Sequence, residues 1–159
     1  NCEIDFSVET SPLGTAGSIK KAMKKVSGES FVVINGDVIT NINLKKILDK
    51  PNTIATNELK TKFGTMKIQN NKVVRFNEKS DVENVWMNPG LYHLSTDIYK
   101  LLPVKGSLEG IVFPILSGKK LLNTVKYKSV LWHSIDSHKD IELCEKDMKS
   151  KKYSKYFKK

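Results

Sequence analysis

The chain has few of the residues that mark specialised proteins. Its 159 residues include one arginine, Arg75, and two cysteines, Cys2 and Cys144. No uninterrupted apolar run approaches the ~20 residues of a bilayer-spanning helix, so a membrane partner is not expected. Two isolated cysteines cannot build a disulfide framework or a thiolate zinc cage, which points to a reducing, cytoplasmic setting. Residues 1–9 carry acids where a secretory signal has a basic start and an apolar stretch, so no export signal is expected. What remains is an ordinary apolar share, 39%, in a chain long enough for one domain with its own core.

Charge is the one unbalanced feature. Lys and Arg number 27 against 17 Asp and Glu, a formal net charge of +10. The excess sits at the end, because residues 146–159 hold seven lysines and one acid, Asp147, and so carry +6 of that charge. Proteins that read bases or clamp phosphates favour the forked guanidinium, and this chain has one. The tail, 150–159, therefore reads as a solvated helix end, and a nucleic-acid partner is not expected.

Along the chain, Ile4, Phe6 and Val8 alternate with polar residues as in a half-buried strand, and Ser11-Pro12, Gly14 and Gly17 break it. Ser18 is placed to cap a helix bearing Ile19, Ala22, Met23 and Val26, with Gly28 as its stop. Phe31 to Ile34 is apolar on both faces, as in a central strand covered by helices. A short helix follows from Asn43 to Leu48, then a strand at 53–56. Strands at 63–69 and 73–77 form a hairpin across Asn70-Asn71. One strand is expected at 85–92, helices at 95–102 and 108–116, strands at 121–127 and 130–133, and a last helix from Ser137 with Asp140 at capping-box spacing. The pattern predicts a three-layer α/β sheet with an antiparallel insertion, whose ligands gather at the carboxyl ends of the central strands.

That rule singles out Asp37, which follows the most apolar strand behind Gly36. Its carboxylate can hold a metal or cap the turn, and position alone weighs the two equally. The segment 11–18 is a second candidate, since glycines ahead of a helix expose backbone donors to an anion or a base edge, although such loops more often only turn the chain.

Six segments occur in order: Pro-Leu-Gly-Thr-Ala-Gly (12–17), Val-Ile-Asn-Gly-Asp (33–37), Phe-Gly (63–64), Phe-Asn-Glu-Lys (76–79), Met-Asn-Pro-Gly-Leu-Tyr (87–92) and Trp-His-Ser-Ile-Asp (132–136). Together they resemble the sugar-1-phosphate nucleotidyltransferases from about residue 3 to 149. The resemblance implies a Rossmann-like three-layer mixed sheet, the nucleotide-diphospho-sugar transferase fold. It also implies transfer of a nucleotide from a nucleoside triphosphate to a sugar 1-phosphate, with pyrophosphate released. By that likeness Gly14 and Thr15 contact the nucleobase, and Asp37 holds Mg²⁺. Glu78 bonds sugar hydroxyls, Lys79 meets the sugar phosphate, Gly64 and Asn88 line the sugar pocket, and Gly36 and Gly90 complete the substrate-binding set. The Leu-Gly-Thr-Ala-Gly form of the loop is most similar to mannose-1-phosphate guanylyltransferases, implying GTP with mannose 1-phosphate or a related hexose phosphate.

Two departures accompany the likeness. Many members carry the second metal-binding aspartate two residues after the tryptophan, where this chain has Ser134. Asp136 instead matches the Trp-x-x-apolar-Asp pattern of the cytidylyltransferase branch and is assigned as the second ligand, with Asp37 and Asp136 both catalytic beside Lys79. His133, in the same segment, reads as a residue satisfied by one hydrogen bond. The family's first strand and its Gly-x-Gly-x-Arg phosphate loop have no counterpart. Residues 1–149 therefore read as the C-terminal two thirds of one nucleotidyltransferase domain, inactive alone, with homo-oligomers compatible. The alternative is a non-catalytic sugar-nucleotide binding or regulatory subunit.

Overall fold

A computed structural model describes residues 3–60, 63–78, 81–150 and 152–156, and at 60 and 81–84 the backbone only. In chain order the elements are helix α1 (Gly14–Ala22), strands β1 (Ser30–Ile34), β2 (Val38–Thr40), β3 (Thr53–Lys60), β4 (Thr65–Gln69), β5 (Lys72–Asn77), β6 (Asp81–Met87) and β7 (Leu91–Ser95), helix α2 (Phe113–Gly118), strands β8 (Asn123–Tyr127) and β9 (Trp132–Ser134), and helix α3 (His138–Lys149). Short 3₁₀ turns lie at Met23–Lys25, Leu44–Lys46 and Thr96–Lys100, and a π-helical turn at Leu108–Val112. The α/β class expected from the sequence holds. Among the described residues no helix is long and apolar enough to cross a membrane.

The chain divides into two compact units. The first comprises Asn1–Val33, Leu44–Ile54 and Leu91–Thr124. Its core gathers Ala16 of α1, Tyr92 and Leu94 of β7, Ile98, Leu102, Leu108, and Val112, Phe113 and Leu116 around α2. Ile19 and Met23, one helical turn apart, turn the same face of α1 onto it. Tyr92 meets Phe113 edge-on, ring centres 5.0 Å apart. The strand buried on both faces is β7, whose Leu91–Leu94 are all buried, and not β1 as the apolar run had suggested. β1 ends the strand order beside β7 and alternates in exposure: Phe31 and Val33 pack on the core while Val32 is 37% exposed. A strand covered on one face can bury only every second residue.

Four further expectations for this unit change. Residues 4–8 form no strand, and Ile4, Phe6 and Val8 are more than 70% exposed, because alternation makes a strand only where a neighbour pairs with it. α1 begins at Gly14 rather than after Ser18, whose hydroxyl bonds back to the Gly14 carbonyl at 2.8 Å from inside the helix. Ser95 does cap, accepting the Asp97 N–H at 3.2 Å, but the element it opens is a 3₁₀ turn. The expected helix at 108–116 is divided between the π-helical turn and α2, where Pro114 sits in the first turn and supplies no N–H.

The second unit comprises Ile34–Asn43, Ala55–Gly90 and Val125–Lys159. Here the later part of β3 pairs antiparallel with β6, Asn57 opposite Met87, and the Thr56 hydroxyl donates to the Val125 carbonyl of β8 at 3.3 Å. β2 and β9 form a two-stranded sheet with Val38 opposite Ser134 and Thr40 opposite Trp132. β4 and β5 form the expected hairpin, turned by Asn70 (φ 49°) and Asn71 (φ 60°) in the left-handed region that asparagine tolerates. The single strand expected at 85–92 is two, β6 and β7, interrupted at 88–90. α3 starts at the expected serine, although Ser137 donates to the Asp140 carboxylate at 2.7 Å and makes no side-chain bond to the helix backbone.

Candidate functional site

Three of the six segments converge in the second unit. Asn35, Gly36 and Asp37 form the turn between β1 and β2, closed by the Val38 N–H on the Asn35 carbonyl at 3.2 Å. The β2–β9 ladder brings Trp132–Ser134 alongside, and the Ile135 N–H extends it to the Asp37 carbonyl at 2.9 Å. Ser134 then stands between two carboxylates, its hydroxyl 3.4 Å from Asp37 Oδ2 and 3.1 Å from Asp136 Oδ2. Both aspartates are exposed. Asp37 and Asp136, expected as a pair, thus both lie beside Ser134, whose single proton goes to one of them at a time. Among the described residues no group of three or more His, Cys, Asp or Glu side chains could hold a metal.

The segment 88–90 docks on the same turn. The Asn35 N–H donates to the Gly90 carbonyl at 2.9 Å, the Gly90 N–H to Asn88 Oδ1 at 3.0 Å, and Trp132 Nε1 to the Pro89 carbonyl at 2.9 Å. Gly90 has φ +75°, and a Cβ there would lie 2.7 Å from Asn35 Nδ2, so the turn needs glycine. Gly36 has open space around it. Gly64 and Glu78 also lie together: a Cβ on Gly64 would be 3.1 Å from Glu78 Oε2 and 2.5 Å from the Phe76 ring. Lys79 lies outside the described residues. His133 is paired with Asp147, Nε2 to Oδ2 at 3.1 Å, which leaves it in the bonded role expected of it. A recess of about 340 Å³ adjoins β9, lined among others by Asn57, Glu58, Met87, Trp132, Ser134 and Tyr153. Asn57, 8% exposed, is a polar group there that no motif had marked.

Gly14 and Thr15 stand in the first unit. Gly14 has φ +71°, and a Cβ on it would lie 2.6 Å from the Gly106 carbonyl oxygen. A Cβ on Gly17 would press on the Val104 carbonyl, so both glycines of the segment are dictated by close backbone approach to 104–106. The Ala16 N–H bonds the Gly106 carbonyl at 2.9 Å, and the Gly106 N–H the Leu13 carbonyl at 2.8 Å. Thr15 Oγ1 donates to Glu109 Oε2 at 2.8 Å and accepts the Leu108 N–H at 2.8 Å. Glu109 was invisible to sequence reasoning, being 94 residues from its partner in no recognisable motif.

Burial pushes the Glu109 carboxyl up, but bonds from Thr15, its own backbone N–H, Ser107 and Tyr92 outweigh this and hold it below the usual glutamate range. A depressed folded value contributes stability that is present above the unfolded value and lost as pH falls through the folded one. The thermal midpoint is therefore expected to fall as pH drops below about 4.3. In Glu109→Gln that part of the pH profile is expected to flatten, and an unchanged acid limb would refute the assignment.

The nucleotidyl transferase family model matches residues 1–110. The chain is 32% identical over 105 residues to a D-glycero-alpha-D-manno-heptose 1-phosphate guanylyltransferase of Aneurinibacillus thermoaerophilus, covering 61% of this chain and 46% of that protein. It is 35% identical over 153 residues to a mannose-1-phosphate guanyltransferase of Kluyveromyces lactis, covering 86% and 42%. It thus spans less than half the length of these curated relatives. Among solved structures, HddC of Yersinia pseudotuberculosis matches with a TM-score of 0.65 at 28% identity, covering 92% of this chain and 68% of that one. HddC has also been solved complexed with GMP-PN, matching at 27% identity with a TM-score of 0.57 over 90% of this chain and 66% of that one. A family match over more than half the chain settles its membership: this chain belongs to the nucleotidyl transferase family.

Proposed function

We propose that the protein is a sugar-1-phosphate guanylyltransferase, joining GTP to mannose 1-phosphate or a related sugar 1-phosphate with release of pyrophosphate. The observation that carries the reading is the pair Asp37 and Asp136, both within reach of the Ser134 hydroxyl beside the Asn35–Gly90 turn. Mg²⁺ takes oxygen ligands and is commonly held by one or two carboxylates plus phosphate oxygens, and these two exposed carboxylates fit that donor set. A bound divalent cation supplies charge neutralisation at the α-phosphate. Asp37 and Asp136 would hold it there, with the Ser134 hydroxyl donating to one of the two carboxylates.

Transfer by in-line attack needs positioning and charge neutralisation more than covalent chemistry from the protein. Glu78 accepts from sugar hydroxyls, and Gly64 beside it leaves the room a side chain would fill. Lys79 meets the sugar phosphate as a point charge. Asn88, Gly90 and Gly36 shape the sugar side of the site, and Gly14 and Thr15 present the first turn of α1 to the base. The sugar class and the preference for GTP are supported by the names of the two guanylyltransferase relatives. A cytoplasmic setting is supported by the isolation of the two cysteines in the sequence.

Turnover by the full-length protein across GTP, ATP, UTP and dTTP, each with mannose 1-phosphate and a heptose 1-phosphate, tests the reading. GTP is expected to lead by about tenfold or more in kcat/KM, the discrimination one or two base-edge hydrogen bonds supply. A preference for UTP or dTTP would overturn it.

A further inference from the structure

We infer that Glu109 is a positioning residue for the nucleobase loop, a carboxylate that holds Thr15 and the first turn of α1 in the shape that receives the base. This rests on the transferase reading above, which assigns that loop to the nucleotide. It goes beyond it by naming the group that fixes the loop.

Glu109 collects three hydroxyls. Thr15 Oγ1 and Ser107 Oγ donate to Oε2 at 2.8 and 2.9 Å, and Tyr92 donates to Oε1 at 3.2 Å. Each donor anchors something different. Tyr92, the last residue of the Asn-Pro-Gly-Leu-Tyr segment, is 1% exposed and fixed by Phe113, so it ties the carboxylate to the core. Ser107 also accepts the Gly110 N–H at 3.0 Å, which sets the turn that carries Glu109. Thr15 is exposed, as Ser107 is, and its hydroxyl is committed twice, donating to Glu109 while accepting from Leu108 N–H. With its only proton given to Glu109, Thr15 Oγ1 can meet a ligand as an acceptor alone. The expectation that Thr15 contacts the base is thereby narrowed: its main part is to lock the loop, and the chain atoms around Gly14 face the ligand.

A carboxylate suits this place because it accepts from every side. Glutamine has the same shape but replaces one oxygen with a donor, which must face either Tyr92 or the Thr15–Ser107 pair. A Thr15 hydroxyl turned to accept from that donor exchanges a charge-assisted hydrogen bond for a neutral one.

In the full-length protein, Glu109→Gln is expected to raise KM for GTP about tenfold or more, with kcat and KM for the sugar phosphate within about threefold of wild type. Thr15→Val is expected to reproduce that pattern, and the double variant to be little worse than either single one, because both remove the same contact. Amide exchange at residues 13–16 is expected to quicken about tenfold in Glu109→Gln while residues 91–94 stay protected. An unchanged KM for GTP, or kcat and both KM values altered together, overturns the positioning role. So does unaltered exchange at 13–16. A wild-type protein that turns over no nucleotide with any sugar phosphate sinks the transferase reading itself and this inference with it, a result distinct from an active enzyme indifferent to residue 109.

Discussion

Asp37→Asn in the full-length protein is expected to lower turnover by about 10² or more, with nucleotide affinity much less affected. Asparagine keeps the shape of the side chain and the turn around it but removes one of the two charges on which a divalent ion depends, and single electrostatic groups at active sites contribute on this scale. Asp136→Asn is expected to act likewise. On the proposal that the two carboxylates serve one ion, removing both should cost far less than the product of the single losses. Ser134→Ala takes away one hydrogen-bond donor and no charge, so its expected cost is below about tenfold. A Ser134→Ala enzyme as damaged as Asp37→Asn, with Asp136→Asn silent, would assign the second ligand position to residue 134 instead. Raising Mg²⁺ should partly restore the single aspartate variants and leave Ser134→Ala unchanged.

Gly14→Ala is expected to destabilise the fold by about 2–4 kcal/mol, the sum of a left-handed backbone without glycine and an overlap with a carbonyl that cannot swing aside. The clash is with backbone, Gly106 O at 2.6 Å from the added Cβ, and the hydrogen bonds between Leu13, Ala16 and Gly106 prevent the two segments from separating freely. Gly36→Ala is the natural comparison, since nothing lies within 4 Å of a Cβ there, and its expected change is below about 0.5 kcal/mol. Urea unfolding of both variants measures the difference. Equal midpoints would mean that the glycine at 14 serves a ligand's approach and not the packing described above.

The sequence by itself determined the α/β class, the hairpin at Asn70-Asn71, the serine that opens α3 and the family, because these depend on local chemistry or on short segments whose order is written in the chain. It marked Asp37 and Asp136 and proposed that they share an ion. It could not foresee that Ser134, noticed only as a missing aspartate, would stand within reach of both, since that follows from the β2–β9 register, in which Val38 faces Ser134. It overvalued apolar runs. Phe31 to Ile34 looked like the doubly covered strand, and Ile4 to Val8 like a half-buried one, whereas burial on both faces belongs to β7 and residues 4–8 pair with nothing that is described. Periodicity reports which residues could be buried; which strand has neighbours on both sides is a property of the sheet. Glu109 shows the same limit at the scale of one side chain. An isolated glutamate carries no signal in a linear text, and only packing that brings Thr15, Tyr92 and Ser107 to its two oxygens turns it into a clamp.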